Sequence, residues 1–361
     1  MVRDRDVMRA AVPRLLAWFR RSARDLPWRR TRDPYAVWVS EIMLQQTQIA
    51  TVIPYYRRWM MRFPTVDALA RASLDDVLKM WEGLGYYARA RSLHKAAQQW
   101  PDPRTAAEWL ELPGVGEYTA AAIASITRGE RVAVCDGNVR RVMSRLLKIE
   151  DVVTQPEVTS RIRAALDEAV PARAPGDFNQ AIMELGQRVC TPRSPKCGDC
   201  PVAPPCRARK AGVASELPKT AARKAVPHYD IAIGVCRKGD RMLVAKRRAE
   251  GLLGGLWEFP GGKRKDGESF ERALVREFRE ETGVEVDVRE PLMTVDHRYS
   301  HFAVTLHVYE CRWRSGRARS IENAGVKWVR VGDLASLAWP AANRRIVERL
   351  TSSCLRSRPE A

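Results

Sequence analysis

Apolar residues recur at helical spacing through the first part of the chain. From the N-terminus to about Ala211, one segment after another repeats apolar positions every three to four residues, and few segments alternate as strands do. Asp33-Pro34 is typical of a helix start, because an aspartate can cap the first turn and a proline fits its first position. The pattern therefore predicts an all-α domain over residues 1–211.

A different pattern begins at His228. Short runs rich in β-branched and aromatic residues predict strands, with a helix over Ser269–Glu281 and another near the C-terminus. Residues 212–227 are basic and proline-punctuated without apolar periodicity, which predicts a linker. We therefore expect an α/β (α+β) domain over residues 228–352 and a disordered tail over residues 353–361. The predicted strands are IAIGV, MLVAKR, LWEFPGG, HFAVTLHVYECRW and VKWVRV.

The charge of the chain narrows the class of partner. Its 361 residues carry a formal net charge of +19, more than solubility requires, which favours a polyanion. No apolar run is long enough to span a membrane, and the N-terminus lacks the uninterrupted apolar core of a signal peptide. Four cysteines, Cys135, Cys236, Cys311 and Cys354, are scattered as ordinary reduced thiols are. A reducing compartment is expected, and there nucleic acid is the expected polyanion.

Four other cysteines are close together in the sequence. Cys190, Cys197, Cys200 and Cys206 have the spacing C-x6-C-x2-C-x5-C, which puts four thiolates in one short loop. Such sets select iron–sulfur clusters or zinc. Zinc sites usually combine two close pairs, which the six-residue arm fits badly, and nothing marks the chain as secreted and disulfide-bonded. The spacing therefore predicts a [4Fe–4S] cluster, with zinc as the alternative.

A glycine-containing turn, LPGVG, separates two predicted helices, Thr105–Glu111 and Glu117–Arg128. Gly114, Val115 and Gly116 would leave backbone N–H groups uncovered beside a helix N-terminus, where a DNA phosphate can bind without regard to sequence. Taken alone, the segment could equally be a plain corner between helices.

Two carboxylates are candidates for chemistry. Asp136 precedes a predicted helix over Val139–Ile149, so either Asp136 or Asn138 should cap it; a capping aspartate can also face a developing cation. Glu41, on the helix that starts at Pro34, has mainly apolar neighbours one turn away. If it faces inward its pKa is raised, and if it lies at the margin it reaches water. An acid and a charge stabiliser are the pair that glycosidic chemistry needs.

Several motifs together resemble the helix–hairpin–helix DNA glycosylase superfamily and, within it, the MutY family of adenine-DNA glycosylases. They are SEIMLQQTQ, WEGLGYYARARSLHKAA, LPGVGEYTAAAIAS, VCDGNVRRV and the cysteine loop, and they span Leu26–Cys206. The resemblance implies a two-lobed helical base-excision enzyme with a [4Fe–4S] cluster. It would remove adenine mispaired with 8-oxoguanine, or with guanine, from duplex DNA. It would act as a monomer in the bacterial cytoplasm, at the nucleoid.

The resemblance also implies roles for residues. Asp136 would stabilise the oxocarbenium ion, Glu41 would protonate the adenine, and Tyr118 and Asn138 would assist. Six further residues would contact the DNA: Trp28, Arg29 and Glu184 in the pocket for the extruded base, and Gln46, Leu84 and Tyr86 in the duplex stack.

Tyr118 separates two subfamilies. Endonuclease III, a relative that also cuts the strand, has a lysine at this position, whose amine can form a Schiff base with the opened sugar. A tyrosine cannot do so. A monofunctional enzyme that leaves an abasic site is therefore expected.

The second half contains a segment from Gly262 to Val284 that fits the Nudix box, with Phe278 as its one departure. Glu277, Glu280 and Glu281 share one face of the predicted helix. Without a matching basic row they would repel one another unless Mg²⁺ or Mn²⁺ lies between them. In many MutY relatives this MutT-like domain has lost its box and recognises 8-oxoguanine. The largely intact box leaves open a second activity, hydrolysis of a nucleotide such as 8-oxo-dGTP.

The segment Tyr299-Ser300-His301 resembles the short F-S-H motif with which this family recognises 8-oxoguanine. A hydroxyl and an imidazole can hydrogen-bond the edge that oxidation alters, so Ser300 and His301 are the predicted lesion contacts. At a strand start such residues are otherwise ordinary surface side chains.

Three classes of function remain to be weighed. A base-excision enzyme acting on duplex DNA is favoured. A Nudix-type nucleotide hydrolase with a DNA-binding domain is the alternative, supported by the box. A non-catalytic lesion binder is disfavoured, because Glu41, Asp136 and Tyr118 occur together.

Overall fold

The computed structural model describes residues 3–220, 226–299 and 302–356, with side chains up to residue 352. These residues form two compact units. The first comprises Met1–Ala70 and Lys95–Arg223, and the second comprises Arg71–His94 and Lys224–Ala361. The sequence predicted a continuous N-terminal domain, so the grouping of Arg71–His94 with the C-terminal part was not foreseen.

Residues 3–211 are mainly helical, as predicted. No helix of the described residues is long and apolar enough to cross a membrane. The helices are α1 (Asp4–Ser22), α2 (Pro34–Leu44), α3 (Ile49–Arg62), α4 (Val66–Arg71), α5 (Leu74–Trp81), α6 (Ala88–Gln98), α7 (Ala106–Leu110), α8 (Glu117–Arg128), α9 (Gly137–Leu147), α10 (Pro156–Ala169), α11 (Pro175–Arg188) and α12 (Arg207–Lys210).

Small residues let the central helices of the first unit approach closely. Helix α8 contributes a run of buried alanines to a core shared with α1, α9, α10 and α11. On α11, a Cβ at Gly176 would lie 2.7 Å from the backbone oxygen of Ser125, and one at Gly186 would lie 2.9 Å from Cβ of Asn138. Larger side chains at either position would separate the helices that carry the site residues.

The second unit contains a mixed sheet with the order β3-β2-β1-β6-β5; β4 also pairs with β1, and β7 with β2. Strands β1 and β6 are parallel and the other pairs are antiparallel. Helix α13 (Phe270–Thr282) packs in one core of the unit and α14 (Ala341–Arg356) in another. The strands are β1 (His228–Lys238), β2 (Arg241–Lys246), β3 (Trp257–Glu258), β4 (Gly261–Lys263), β5 (Glu285–Arg298), β6 (Ala303–Ser315) and β7 (Gly325–Arg330).

Two elements differ from the sequence-based expectation. Strand β5 was not predicted, because Pro291 and the charged residues around it interrupt the apolar alternation; the structure accommodates them with register shifts on either side of Pro291. Helix α14 continues to Arg356, past the tail boundary expected after Ser352. Residues 357–361 of the expected tail lie outside the described residues.

Candidate active site

A cleft of about 880 Å³ opens in the first unit between residues of α2, α8 and α11. Both apolar and polar side chains line it, so it offers packing surface together with hydrogen-bonding groups. The cleft brings together eight residues predicted from the sequence: Trp28, Arg29, Glu41, Gln46, Tyr118, Asp136, Asn138 and Glu184.

Glu41 faces the interior and is not at the water-exposed margin of its helix. It is 6% exposed, and its Oε2 lies 3.0 Å from the hydroxyl of Tyr118. Burial raises the pKa of Glu41 to about 7; the Tyr118 hydrogen bond lowers this pKa and the negative charge of Asp136 raises it. Glu41 can therefore hold a proton near neutral pH.

Asp136 is the residue that caps α9. Its Oδ1 accepts the backbone N–H of Val139 at 2.7 Å, and its Oδ2 accepts the side-chain amide of Asn138 at 2.9 Å. Of the two candidates that the sequence offered, the cap is thus Asp136, and Asn138 orients it. The two hydrogen bonds fix the direction of the carboxylate at the cleft.

Tyr118 remains a neutral phenol in this environment. Its hydroxyl lies 3.0 Å from Glu41 Oε2 and 3.0 Å from Met183 Sδ. Burial, followed by the carboxylates of Glu41 and Asp136, raises the pKa of Tyr118 well above its ordinary value. The phenol can donate a hydrogen bond to Glu41, but it offers no amine that could attack a sugar.

Glu184 is an ionised acid that also lines the cleft. Its side chain is fully buried, and its Oε2 lies 2.5 Å from Nη1 of Arg29. Burial alone would raise the pKa of Glu184, but Arg29 and Arg24 outweigh it and the pKa is lowered. Glu184 is thus a fixed hydrogen-bond acceptor, and Trp28 is a buried aromatic beside it, edge-on to Tyr56 at 5.3 Å.

Sequence reasoning missed several residues that position the site. Arg24 donates its backbone N–H to Glu184 at 3.0 Å, and Gln180 accepts from Nε of Arg29 at 3.0 Å. Arg141 donates to the side-chain oxygen of Asn138 at 2.8 Å and to the backbone oxygen of Cys190 at 2.8 Å. The first two contacts join residues more than 150 positions apart, so no local pattern could have indicated them.

Gln46 and the two predicted stack residues differ in placement. Gln46 is exposed at the cleft with φ of 55°, a rare conformation for a side-chain-bearing residue. Leu84 and Tyr86 do not line the cleft; they lie in the second unit between α5 and α6. Leu84 is buried there, and the guanidinium of Arg89 lies 5.3 Å from the Tyr86 ring. Their contact with a duplex stays a prediction.

The predicted phosphate-binding turn has the expected backbone. Gly114 has φ of 78°, and Gly116 caps α8 with nothing within 4 Å of its ideal Cβ position. Val115 packs inward with 7% exposure. Buried Val115 anchors the turn while the glycines leave its backbone open to an anion.

The four predicted metal ligands surround one cavity. Cys190, Cys197, Cys200 and Cys206 are free thiols that line it with apolar residues and Arg145. Burial and the neighbouring thiols raise the pKa of Cys200 to about 12. Cationic iron would hold such desolvated groups as thiolates, so the donor set fits an iron–sulfur cluster.

Arg145 was not predicted and is the main support of the cysteine loop. It is 1% exposed, and its guanidinium donates to the backbone oxygens of Thr191, Pro192 and Leu217 at 2.7 to 2.8 Å and to Cys190 Sγ at 3.3 Å. One side chain therefore joins α9 to both ends of the loop region.

The Nudix helix contains a basic partner that sequence reasoning overlooked. Arg276 donates to Glu277 at 2.6 Å and to Glu280 at 3.0 Å, so these acids do not lack a cation. Within the described residues, no three Cys, His, Asp or Glu side chains converge closely enough to hold a single ion. This holds for the predicted Nudix trio and also for the four cysteines, which would have to surround a larger group of several iron atoms. The departure Phe278 is fully buried and leaves the helix regular, because Gly234 opposite it has no side chain.

Glu281 points away from Arg276 into a more acidic environment. Burial, then the carboxylates of Glu258 and Glu277, raise the pKa of Glu281 to about 8. Glu258 itself has a raised pKa because it is buried, although Arg247 donates to it at 2.5 Å. Glu258 lies in the predicted strand LWEFPGG but had no role assigned from sequence.

The predicted lesion contacts, Ser300 and His301, lie outside the described residues. Their neighbours are described: the Tyr299 N–H donates to the Phe302 carbonyl at 2.8 Å, and the two rings stack with centroids 4.6 Å apart. These two residues bring the ends of β5 and β6 together.

Family models match three parts of the chain. The HhH-GPD superfamily of base excision DNA repair proteins matches residues 39–168, the iron-sulfur binding domain of endonuclease III matches residues 190–206, and the NUDIX domain matches residues 232–349. The human adenine DNA glycosylase is 36% identical over 92% of this chain and 72% of its own. This chain belongs to the adenine DNA glycosylase family.

Other relatives and solved structures agree with that membership. The adenine DNA glycosylase of Buchnera aphidicola (subsp. Schizaphis graminum) is 31% identical over 81% of this chain and 84% of its own. A thermostable thymine-DNA glycosylase superposes with a TM-score of 0.52 at 26% identity, covering 57% of this chain and 98% of that one. A trapped endonuclease III–DNA intermediate, at 23% identity and a TM-score of 0.50, covers 59% of this chain and 99% of that one and shares the fold.

The family settles the main expectations from sequence. As a member of this family, the chain is a base-excision enzyme that hydrolyses N-glycosidic bonds in DNA, with a helical glycosylase part followed by a Nudix-like domain. The match to the iron–sulfur model supports a [4Fe–4S] cluster at the four cysteines and not zinc. DNA is its macromolecular substrate.

Proposed function

We propose that this adenine DNA glycosylase removes adenine mispaired with 8-oxoguanine or guanine from duplex DNA and leaves an intact abasic strand. The observation that carries the proposal is the pairing of two acids in one cleft. Glu41 holds a proton near neutrality, and the capped Asp136 presents a fixed carboxylate. Adenine is a poor leaving group, so its release needs both an acid and a charge stabiliser.

The residues act in a defined order in this proposal. An adenine extruded into the cleft is protonated on N7 by Glu41, and the C1′–N9 bond breaks with its electron pair going to the base. The Asp136 carboxylate stabilises the resulting oxocarbenium ion. Water then adds to C1′ and gives a proton to the Glu41 carboxylate, which restores the acid and completes a net hydrolysis.

The environment of Tyr118 supports a monofunctional outcome. A neutral phenol bonded to Glu41 assists the acid but forms no Schiff base with the sugar. Strand scission by β-elimination is therefore not part of the proposed reaction.

The proposal also covers how the enzyme binds DNA, its oligomeric state and its location in the cell. The net charge of +19 supports binding to chromosomal DNA. The open turn at Gly114–Gly116 would bind a DNA phosphate through its backbone N–H groups, whatever the base sequence. We propose a monomer in the bacterial cytoplasm at the nucleoid, with Ser300 and His301 contacting the oxidised base.

A single-turnover assay tests this proposal. Duplexes with one adenine opposite 8-oxoguanine, guanine or thymine are incubated with the enzyme, and free adenine and strand breaks are measured before and after alkali. Adenine should be released fastest opposite 8-oxoguanine and not from the A:T pair, with breaks only after alkali. Equal rates for the three opposite bases, or nicking without alkali, would contradict it.

The Nudix domain supports a second candidate activity. The observation that favours it is the environment of Glu281, where burial and then the carboxylates of Glu258 and Glu277 raise the pKa of Glu281 to about 8. If Glu277, Glu280 and Glu281 moved together around a divalent cation, the cation would relieve that repulsion and activate water for pyrophosphate cleavage. Arg276 competes for two of these acids.

Full-length enzyme with Mg²⁺ or Mn²⁺ and 8-oxo-dGTP tests the second activity. Metal-dependent turnover should stop in Glu280→Gln, which should excise adenine as the wild type does. An absence of hydrolysis across oxidised and normal nucleotides would leave the domain with lesion recognition alone.

A further inference from the structure

We propose that Glu82 and Tyr87 are positioning residues that set the preference for 8-oxoguanine over guanine. Glu82 and Tyr87 are the first and last residues of the segment Glu82–Tyr87, called here the probe loop. The probe loop contains two of the predicted stack residues, Leu84 and Tyr86. Its two end residues both form hydrogen bonds with the backbone of Trp339, which attaches the loop to the segment Leu337–Trp339 of the same unit. The inference rests on the proposed lesion specificity and adds the residues that connect the probe loop to the paired strands β5 and β6, between which the lesion contacts are predicted.

The probe loop has a backbone that needs support. Gly83 and Gly85 have φ of 101° and 70°, and Tyr86, which bears a side chain, has φ of 48°. The indole N–H of Trp81 donates to the carbonyl of Gly85 at 3.0 Å, and Nη2 of Arg89 donates to the same carbonyl at 3.2 Å. A strained loop keeps one conformation only where its surroundings fix it.

Glu82 and Tyr87 fix both ends of the loop on one residue. The backbone N–H of Trp339 donates to Oε1 of Glu82 at 3.2 Å, and the hydroxyl of Tyr87 donates to the Trp339 carbonyl at 3.2 Å. Lys79 reinforces the bridge, because its Nζ donates to Oε2 of Glu82 at 2.6 Å and to the Leu337 carbonyl at 3.0 Å. Tyr87 is 4% exposed, so these bonds form away from bulk water.

Trp339 in turn packs in the core that also contains residues of β5 and β6. Its ring stacks on Phe259 with centroids 5.0 Å apart, and the N–H of Phe259 donates to the Asn343 side chain at 3.3 Å. Asn343 lies in the first turn of α14. Tyr299, directly before the predicted lesion contact Ser300, packs against the core that contains Trp339 and Ala342.

The probe loop and the ends of β5 and β6 are therefore attached to one packed structure. If the probe loop moves, the contacts of Trp339 should displace the ends of β5 and β6 as well, and the reverse should also hold. Loss of the bridge should weaken discrimination between 8-oxoguanine and guanine, because the loop would no longer be held in register with these two strands. It should leave the chemistry of the separate catalytic cleft intact.

The test compares Tyr87→Phe with wild type in single-turnover excision of adenine opposite 8-oxoguanine and opposite guanine. Tyr87→Phe removes one hydroxyl and keeps the ring. The rate ratio between the two opposite bases should fall roughly three- to tenfold, the equivalent of one hydrogen bond, and the rate opposite guanine should change less than about twofold. Asp75→Asn is the matched control, since Asp75 pairs with Lys246 in the same unit but not with the probe loop.

Two further measurements keep the inference separable from a loss of folding. Glu82→Gln should lower the ratio in the same direction, and 2-aminopurine placed beside the lesion should report less unstacking in both variants at an unchanged melting temperature. A wild-type ratio near one would overturn the proposed function, and this inference with it. A clear wild-type ratio that both variants retain, or equal losses opposite both bases, would overturn this inference alone.

Discussion

At the scale of single residues, Glu41 and Asp136 show how environment assigns different tasks to two carboxylates. Glu41 is enclosed by the apolar residues of α2 and accepts a hydrogen bond from the Tyr118 hydroxyl. Asp136 is bound by a backbone N–H and an amide. Desolvation favours the protonated form of Glu41, whereas the two donors fix the direction of the Asp136 carboxylate.

The pH dependence of adenine release should follow Glu41. Its pKa of about 7 means that the protonated form predominates below that pH and is lost above it. Release should therefore be nearly level at lower pH and fall by up to about tenfold per pH unit above 7. Single-turnover rates from pH 5.5 to 9 check this, with Glu41→Gln as the variant that should lose this limb; a rate that rises through pH 7 would contradict it.

Residue-level predictions from sequence succeeded where the cause was local. The inward orientation of Glu41 follows from its neighbours one turn away, and the role of Asp136 as a cap follows from its place before a helix. Arg145 and Arg141 could not be predicted, because their acceptors come from a loop more than 40 residues away. The prediction that the Nudix acids lack a basic partner was wrong for another reason. Arg276 belongs to the motif, but the sequence does not show that its side chain points toward Glu277 and Glu280.

At the scale of elements, the cysteine loop is held mainly by the buried Arg145, with one further hydrogen bond from Arg141 to the backbone oxygen of Cys190. Arg145 satisfies three backbone carbonyls and one cluster ligand, and no other described side chain does so for this loop. Truncating it leaves several buried acceptors without partners, each costing about 1–3 kcal/mol. The loop and its cluster should therefore be among the first structures to fail.

Arg145→Met should lower the iron content and the visible absorbance of the purified enzyme and reduce its melting temperature. Methionine keeps an unbranched apolar chain of similar length but cannot donate. Arg193→Met, an exposed position in the same loop, is the control and should behave as wild type. Full iron occupancy and unchanged melting in Arg145→Met would show that the loop is held by other contacts.

Elements were predictable from sequence where the apolar period was regular. Helix α13 was expected over Ser269–Glu281 and is observed over Phe270–Thr282 with Ser269 as its cap. Strand β5 was missed because its apolar and polar residues do not alternate regularly. It pairs with β6 through register shifts on either side of Pro291, and such an irregular pairing cannot be read from the sequence of β5 alone.

At the scale of the whole molecule, the chain order does not match the compact units. Residues Arg71–His94 belong by sequence to the helical half but pack with the C-terminal part. Nothing in their amphipathic pattern distinguishes a helix that packs within its own domain from one that packs on another. The contacts of Lys79, Glu82 and Tyr87 with Leu337 and Trp339 give the physical reason.

Deleting everything after residue 220 should leave a folded enzyme that contains the cluster and releases adenine. It should discriminate less between 8-oxoguanine and guanine, because the predicted contacts of Ser300 and His301 are removed; losing two hydrogen bonds costs a few kcal/mol at most. Its melting temperature should also fall, since the buried faces of Tyr87 and Leu84 lose the C-terminal part of their unit. Rate ratios and thermal melting of the truncated and full-length enzymes check both effects, and unchanged discrimination would count against the lesion-recognition role.

The most direct test of the whole account is adenine release by Asp136→Asn under single-turnover conditions with an A:8-oxoguanine duplex. Asparagine also caps helices well, so α9 and the fold should be preserved while the charge is removed. The account predicts near-normal binding of the mismatch and a loss of roughly three or more powers of ten in rate, each about 1.4 kcal/mol of barrier. Residual activity within tenfold of wild type would show that Asp136 does not stabilise the cation, and the proposed mechanism would be wrong.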